Sequence, residues 1–149
     1  MAIFNGTDLI LKVSPSSGGT AVKLMHSQNV SLSMNVDTID ISTKDSSGYR
    51  DILAGQMSYS LSADGLMDFG GVAGDTEVDE LFNQMFQVVG GIGRTAVTFA
   101  FGFTIPATGE YSYSGSGFIT SLEISGGTED APTYSVSIEG SGALVQTVA

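Results

Sequence analysis

The 149-residue sequence predicts a mainly-β fold, a partly barrel-like β-sandwich of two antiparallel sheets with one flanking α-helix. Three observations predict it. Apolar and polar residues alternate in several separate segments, which is typical of strands with one buried face. Glycine is frequent (20 residues) and proline is rare (3 residues), which favours strands joined by tight turns. A helical apolar period occurs once, at about residues 76–89.

Length and composition predict a single domain over residues 1–149 with its own core. Hydrophobic residues make up 42% and charged residues 14%, which excludes a disordered chain. Because cysteine is absent, stability is expected to come from packing or from assembly rather than from disulfides. No signal-peptide pattern is visible, and no apolar run approaches the roughly 20 residues of a membrane helix. We therefore expect no membrane partner.

The formal net charge is −11, from 16 acidic and 5 basic side chains. Proteins that bind nucleic acid need a basic surface to displace counterions from phosphates. This charge therefore argues against tight DNA binding. On charge alone, the favoured explanation is an acidic surface that keeps the protein dispersed.

Four segments of the N-terminal half are predicted to be strands: Asp8–Val13, a short one from Lys23 to Met25, Gln28–Ser42 and Gly55–Ala63. In the third, the apolar positions change parity near Asp37–Thr38. A β-bulge would produce this change, because one extra residue sends later side chains to the opposite face. A strand that leaves the core and packs its other face on a neighbour would produce it too, and the two interpretations are compatible.

A polar, turn-rich segment joins the last two strands into a long hairpin, with its loop at about residues 42–53. Loops of this length in compact domains are mobile surface segments or have a function. The sequence of the loop leaves both alternatives open.

The helix is predicted from an apolar stripe that continues over three turns. Thr76 at the N-cap and Asp79 three residues later resemble a capping box, and Gly90 is a plausible stop. The acidic residues of the first turn are explained by the helix dipole, so they do not indicate a metal site. The residues expected to pack the helix against the sheet are Val78, Leu81, Phe82, Met85, Phe86 and Val89.

Three strands are predicted in the C-terminal half. Thr95–Thr104 carries a row of phenylalanines, which we interpret as core. The stretch Tyr111–Leu144 contains two alternating strands around the turn cluster Ser125–Pro132. Residues Val145–Ala149 are expected to form a short tail or an edge segment.

The sequence offers no catalytic constellation. His26 is the only histidine, and no Gly-x-Ser-x-Gly motif or phosphate-binding glycine loop is present. The acidic pair Asp37 and Asp40 lacks the ligand spacing of an EF-hand. We therefore expect no enzyme activity, no metal and no cofactor. A soluble binding module of the carbohydrate-binding or adhesin type is the alternative function, with Tyr49, Tyr111 and Tyr113 as its candidate residues.

An ordered set of short motifs carries a family resemblance. It comprises Gly6–Val13, Asp37–Asp68, Ile119–Glu123, Ala131–Val136 and Gly140–Leu144. Together they resemble the major tail protein, or tail tube protein, of bacteriophages with long non-contractile tails and of gene transfer agents. The resemblance covers nearly the whole chain.

The resemblance implies a structural virion protein whose copies form hexameric rings that stack into a hollow tail tube. The partners it implies are further copies of the chain, the tape measure protein, the tail terminator and the distal tail or baseplate proteins. Genomic DNA would pass through the lumen without specific binding. The location would be the phage tail in the virion and the host cytoplasm during assembly.

The resemblance also implies that the long hairpin loop contacts the adjacent ring. The candidate residues are Ser42, Thr43, Lys44, Asp45, Ser46, Ser47, Gly48, Tyr49, Arg50, Asp51, Ile52 and Leu53. In such a tube, strands would extend the sheet of a neighbour, and an acidic lumen wall would repel phosphates. The candidate lumen-facing acids are Asp37, Asp40, Glu123 and Glu139.

Overall fold

The computed structural model describes residues 6–14, 21–24, 26–67, 78–86, 96–103 and 109–148. It confirms a mainly-β fold with one helix. Thr76, Val89 and Gly90, which belong to the predicted helix, its cap and its stop, lie outside the described residues. The elements are a 3-10 turn (Gly6–Asp8), strands β1 (Leu9–Val13), β2 (Val22–Lys23), β3 (Ser27–Asp40) and β4 (Ile52–Leu66), helix α1 (Val78–Phe86), and strands β5 (Val97–Phe103), β6 (Tyr111–Ser125) and β7 (Thr133–Val148).

All seven strands belong to one antiparallel sheet with the order β2-β1-β5-β6-β7-β4-β3. The sequence suggested two sheets. The described strands form one because β6 and β7 are long enough to serve both halves: β6 pairs with β5 through residues 113–117, and β7 pairs with β4 through residues 133–139. The sheet is partly barrel-like, since β1 contacts β3 although they lie near opposite edges.

The core is one cluster to which alternate residues of both halves of the sheet contribute. Helix α1 contacts β6. Among the described residues, the largest fully buried side chains are Tyr134, Phe99, Leu11, Leu24, Leu61, Leu81, Ile138, Val13, Val97 and Val136. Burial of this kind contributes about 1.5–3 kcal/mol for each large apolar side chain relative to leaving it exposed.

A β-bulge is present at the predicted position, but its extra residue belongs to β4 rather than β3. The parity change in β3 therefore places exposed apolar residues on both faces of this strand. The register of β3 and β4 shifts between Val36 and Thr38, where Asp37 faces both Gly55 and Gln56 of β4. A Cβ added to Gly55 would lie 3.1 Å from the carbonyl oxygen of Asp37, so the bulge favours glycine there. Of the two sequence-based expectations for the C-terminal end, a short tail or an edge segment, the structure shows the edge segment: β7 continues to Val148 by pairing with the start of β6, and no described strand pairs with the other side of residues 140–148.

Tyr59 lies where β4 and β7 separate. The last pair between these strands is Ser60 with Glu139, and residues 52–59 of β4 pair with β3 alone. The Tyr59 ring lies against the backbone of Gly140 and makes an edge contact with Phe99 at 5.8 Å between ring centroids. Its hydroxyl donates to the carbonyl oxygen of Ser116 at 3.0 Å, and the carbonyl oxygen of Ser141 accepts at 3.2 Å.

Replacing Gly140 by alanine should destabilise the fold. A Cβ at this position would overlap the Tyr59 ring, with a separation of 2.0 Å from its nearest atom. We expect a loss of about 1–3 kcal/mol in the free energy of unfolding, as for other overpacked sites, measured by urea denaturation. Gly126→Ala is the matched control, because its Cβ would meet nothing closer than 3.7 Å. Equal stabilities of the two variants would contradict the packing described.

Tyr134 contributes to the dependence of stability on alkaline pH. Burial raises the pKa of Tyr134 well above its ordinary value, and the negative charge of Asp64 raises it further. Above about pH 10 the phenol ionises in the unfolded chain while the folded chain keeps its proton, so stability falls as pH rises. The contribution is fully present below that pH.

Tyr134→Phe should therefore flatten the decline of the melting temperature between about pH 9 and pH 12, measured by circular dichroism. Tyr111→Phe is the control, since Tyr111 is exposed. Parallel pH profiles for Tyr134→Phe and the unsubstituted protein would show that this tyrosine does not contribute to that dependence.

Candidate assembly surfaces

Four adjacent strands, β3, β4, β7 and β6, present small polar side chains on one face, which we name the polar face. Their register aligns hydroxyls in rows across the sheet, for example Ser31, Ser62, Ser137 and Ser121. The Ser31 and Ser62 hydroxyls are 2.6 Å apart. The polar face consists of Asn29, Ser31, Ser33, Asn35, Ser58, Ser60, Ser62, Asp64, Ser121, Glu123, Ser135, Ser137 and Glu139.

The charge of the polar face has a single sign. It carries the carboxylates of Asp64, Glu123 and Glu139, and the strand segments that form it contain no lysine or arginine. Asp64 accepts a hydrogen bond from the Asn29 amide at 3.0 Å. Such a surface repels phosphate groups. Most of its side chains are short and polar, and Phe118, which is directly opposite Glu139 and exposed, is a bulky exception.

Beyond Tyr59, the β3–β4 hairpin projects as a two-stranded arm, residues 34–57. No residue of the arm is buried. The side chain of Met57 is 79% exposed. A two-stranded ribbon is only marginally stable when its side chains are not packed against other elements. An exposed apolar surface of this extent in a folded protein marks an interaction site. The other exposed large apolar residues of the arm are Met34, Val36, Ile39, Ile41, Ile52 and Leu53.

The arm ends in a loop tip, residues 41–51, that is held by its own hydrogen bonds. The Ser42 hydroxyl accepts from the backbone N–H of Asp51 at 2.8 Å. The Ser46 hydroxyl accepts from the Thr43 N–H at 3.0 Å and donates to the Asp51 carboxylate at 2.7 Å. Ser47 and Gly48 turn the chain with φ values of 52° and 81°. The tip is therefore a formed knob of backbone, and Tyr49 on it is exposed.

Asp40 lies at the base of the knob. The backbone N–H of Ser42 donates to its carboxylate at 2.9 Å, and this bond, followed by the Ser42 hydroxyl, holds the pKa of Asp40 below its ordinary value. Arg50 also pairs with Asp40 at 3.6 Å. Both side chains are exposed, so the ion pair contributes little to stability.

The subunit leaves several strand edges open. No described strand pairs with the outer side of β3, with residues 118–125 of β6 on the side away from β7, or with residues 140–148 of β7 on the side away from β6. Open edges present unpaired N–H and C=O groups that can pair with another chain. Together with the arm, they indicate a subunit built for association.

The structure separates the four candidate acids. Glu123 and Glu139 share the polar face with Asp64, which the sequence analysis did not select. Asp64 continues the alternating row of Ser58, Ser60 and Ser62, and this row was the sequence feature that could have placed Asp64 on the polar face. Asp37 is opposite the bulge of β4, and the carboxylate of Asp40 accepts a hydrogen bond from the loop tip.

The helix residues divide into two groups. Leu81 is buried and Met85 is partly buried against the core, whereas Phe82 and Phe86 are exposed and contact each other at 5.7 Å between ring centroids. The sequence placed all four in one packed stripe. The face of a helix that packs on a sheet is narrower than that stripe. Phe82 and Phe86 lie about 100° around the helix from Leu81 and Met85, respectively, so they remain outside the packed face. The side chain of Val78 lies outside the described residues.

The tyrosines proposed for a binding module lie on two elements, the loop tip and β6. Tyr49 is on the loop tip, Tyr111 begins β6, and Tyr113 packs against the core. Within the described residues, no group of three or more His, Cys, Asp or Glu side chains is placed to hold a metal ion. The described part of the chain also has no helix with the length and hydropathy to cross a bilayer.

Solved structures of phage and phage-like tails are among those similar to this one. A tail protein of an empty gene transfer agent particle, computed with helical refinement and C6 symmetry, is 25% identical over 98% of this chain and 100% of its own, with a TM-score of 0.71. A chain of a native gene transfer agent virion is 24% identical over 98% of this chain and 100% of its own, with a TM-score of 0.69. The SPP1 tail tube protein shares 15% identity, covering 99% of this chain and 80% of its own, with a TM-score of 0.72. No curated protein sequence matches the chain.

Open edges, an unburied arm and a hydroxyl-rich acidic face define a structural subunit of a larger assembly. The model of the phage tail tube protein family matches residues 3–146. The chain belongs to the phage tail tube protein family, a class of structural proteins of the virion tail.

A substitution in the arm should lower assembly while leaving the stability of the subunit nearly unchanged. Met57→Ser should change the free energy of unfolding by no more than about 0.5 kcal/mol, because the side chain is exposed, and it should lower polymer yield in sedimentation. Leu61→Ala is the matched control on the same strand and face; Leu61 is 2% exposed. It should cost about 2–5 kcal/mol. A large loss of stability in Met57→Ser would mean that the arm packs within the subunit.

Proposed function

We propose that six copies of this chain, each a single domain, close into a ring, and that the rings stack into the hollow tail tube of a phage or phage-like particle. Genomic DNA passes through the lumen during ejection. The observation that carries the proposal is the polar face, four strands wide, bounded by the open edges of β3 and β6. The C6 symmetry of the similar gene transfer agent tail supports the number six.

Ring closure follows from the two open edges. The outer edge of β3 in one copy pairs with residues 118–125 of β6 in the next, which continues the sheet from subunit to subunit. These edges differ, so the contact is heterologous and forms a ring when its rotation closes. Closure removes the edges that otherwise promote aggregation.

The polar face then lines the lumen. Glu123, Glu139 and Asp64 repeat around the ring, with Asp37 near them along β3. The strand segments of this wall carry no basic side chain. The wall therefore repels the phosphates of DNA and offers no position at which DNA would bind, so DNA can slide through the lumen. Asp40 belongs to the ring-to-ring contact instead, since it is bonded to the loop tip.

The arm connects successive rings. Residues 42–53, supported by the hydrogen bonds of the knob, reach the adjacent ring and bury the exposed apolar side chains of the arm there. The tape measure protein would occupy the lumen before DNA, and terminator and distal tail or baseplate proteins would cap the two ends. Assembly takes place in the host cytoplasm.

Electron microscopy of the purified protein at rising concentration tests the proposal. We expect hollow rings and tubes of uniform diameter. Replacing residues 43–50 by Asn-Gly should leave a folded subunit that does not form tubes, because the hairpin can close through a short turn. Tubes of normal length from this variant would reject the inter-ring role of the loop. An unsubstituted protein that stays monomeric when the distal tail complex is added would reject the proposed tube function.

A further inference from the structure

Two of the three lysines of this acidic chain face each other. Lys12 of β1 is directly opposite Lys23 of β2. Like charges at directly opposed strand positions are destabilising. Within the described residues, neither ammonium has an ion-pair partner. The pair is therefore a local concentration of positive charge that a carboxylate from outside the subunit can neutralise.

A groove of about 740 Å³ lies beside this pair. Lys23 lines it together with Leu9 and Ile10 of β1 and residues 27–30 of β3. Ile10 and Lys12 lie on the same face of β1, because side chains alternate along a strand. The groove thus combines the apolar side chains of Leu9, Ile10 and Val30 with polar residues and the ammonium of Lys23, a chemistry that fits a tyrosine ring next to an acid.

The groove and the loop tip occupy opposite ends of one strand. β3 starts at the groove with Ser27 and ends at the base of the knob with Asp40, roughly 43 Å away at about 3.3 Å for each residue. The knob offers the exposed Tyr49 and the carboxylate of Asp45, which has no partner among the described residues. A knob at one end and a hollow at the other produce head-to-tail contacts between copies.

We propose that the groove and the Lys12–Lys23 pair receive the loop tip of the next copy along the tube. Tyr49 enters the groove, and Asp45 lies between the two ammonium groups. Tyrosine is a frequent anchor of protein interfaces, and the hydrogen bonds inside the knob reduce the entropy lost on docking. This contact rests on the proposed stacking of rings and names the surface on which the arm docks.

Charge reversal tests the contact. Lys23→Glu replaces a repulsive pair with an attractive one inside the subunit, so it should raise the melting temperature of the monomer. The same substitution should raise the critical concentration for tube formation by about tenfold, the equivalent of 1.4 kcal/mol. Asp45→Lys should weaken assembly similarly, and the double variant should recover most of it. Asp130→Lys, the same charge change on another exposed turn, is the control and should assemble normally.

Zero-length carbodiimide cross-linking of unsubstituted tubes provides the direct readout. The chain has only three lysines, so few intermolecular products can form. Mass spectrometry should find Asp45 joined to Lys12 or Lys23. Intact tubes in which both lysines join only other carboxylates overturn the docking and leave the tube function standing. Failure of the unsubstituted protein to form tubes rejects the tube function itself.

Discussion

The packing of Tyr59 on Gly140 is the constraint on which the other features depend. It lies where β4 leaves β7, so it decides where the broad sheet ends and the two-stranded arm begins. The ring fits only because glycine occupies position 140 and leaves the backbone uncovered. Its hydroxyl ties β4 to carbonyls of β6 and β7, which fixes the direction of the arm relative to the polar face.

The subunit divides its hydrophobic residues between folding and association. Residues of β1, β5 and the first half of β7, such as Leu11, Phe99 and Val136, are buried in the core. The large apolar residues of the arm remain exposed, as do Phe118, Ile124, Val145 and Val148 on β6 and β7. A chain without cysteine and with a wholly exposed arm thus keeps a stable core and still has surface to bury on assembly. Membership of the tail tube family agrees with this division, because a tube subunit must fold first and associate afterwards.

Much of this was predictable from the sequence. Alternation located the long strands, because burial of one face imposes a period of two. The parity change in β3 lies at the position of a bulge, but the extra residue of that bulge is in β4 and was not predicted. The continuity of the sheet was not predictable, since it depends on which halves of β6 and β7 pair with β5 and β4. The exposure of Phe82 and Phe86 was also missed, because an apolar period gives the direction of a helix face but not the width of its contact. Asp64 was overlooked although its row of alternating serines was visible.

The most direct test of the account is hydrogen–deuterium exchange on the subunit and on assembled tubes. The central claim is that edges open in the subunit become paired in the tube. Amides of residues 27–40 in β3 and 118–125 in β6 that exchange rapidly in the monomer should become protected in the tube, while core strand β5 stays protected in both. Rapid exchange of both edges in intact tubes would contradict sheet continuation between subunits.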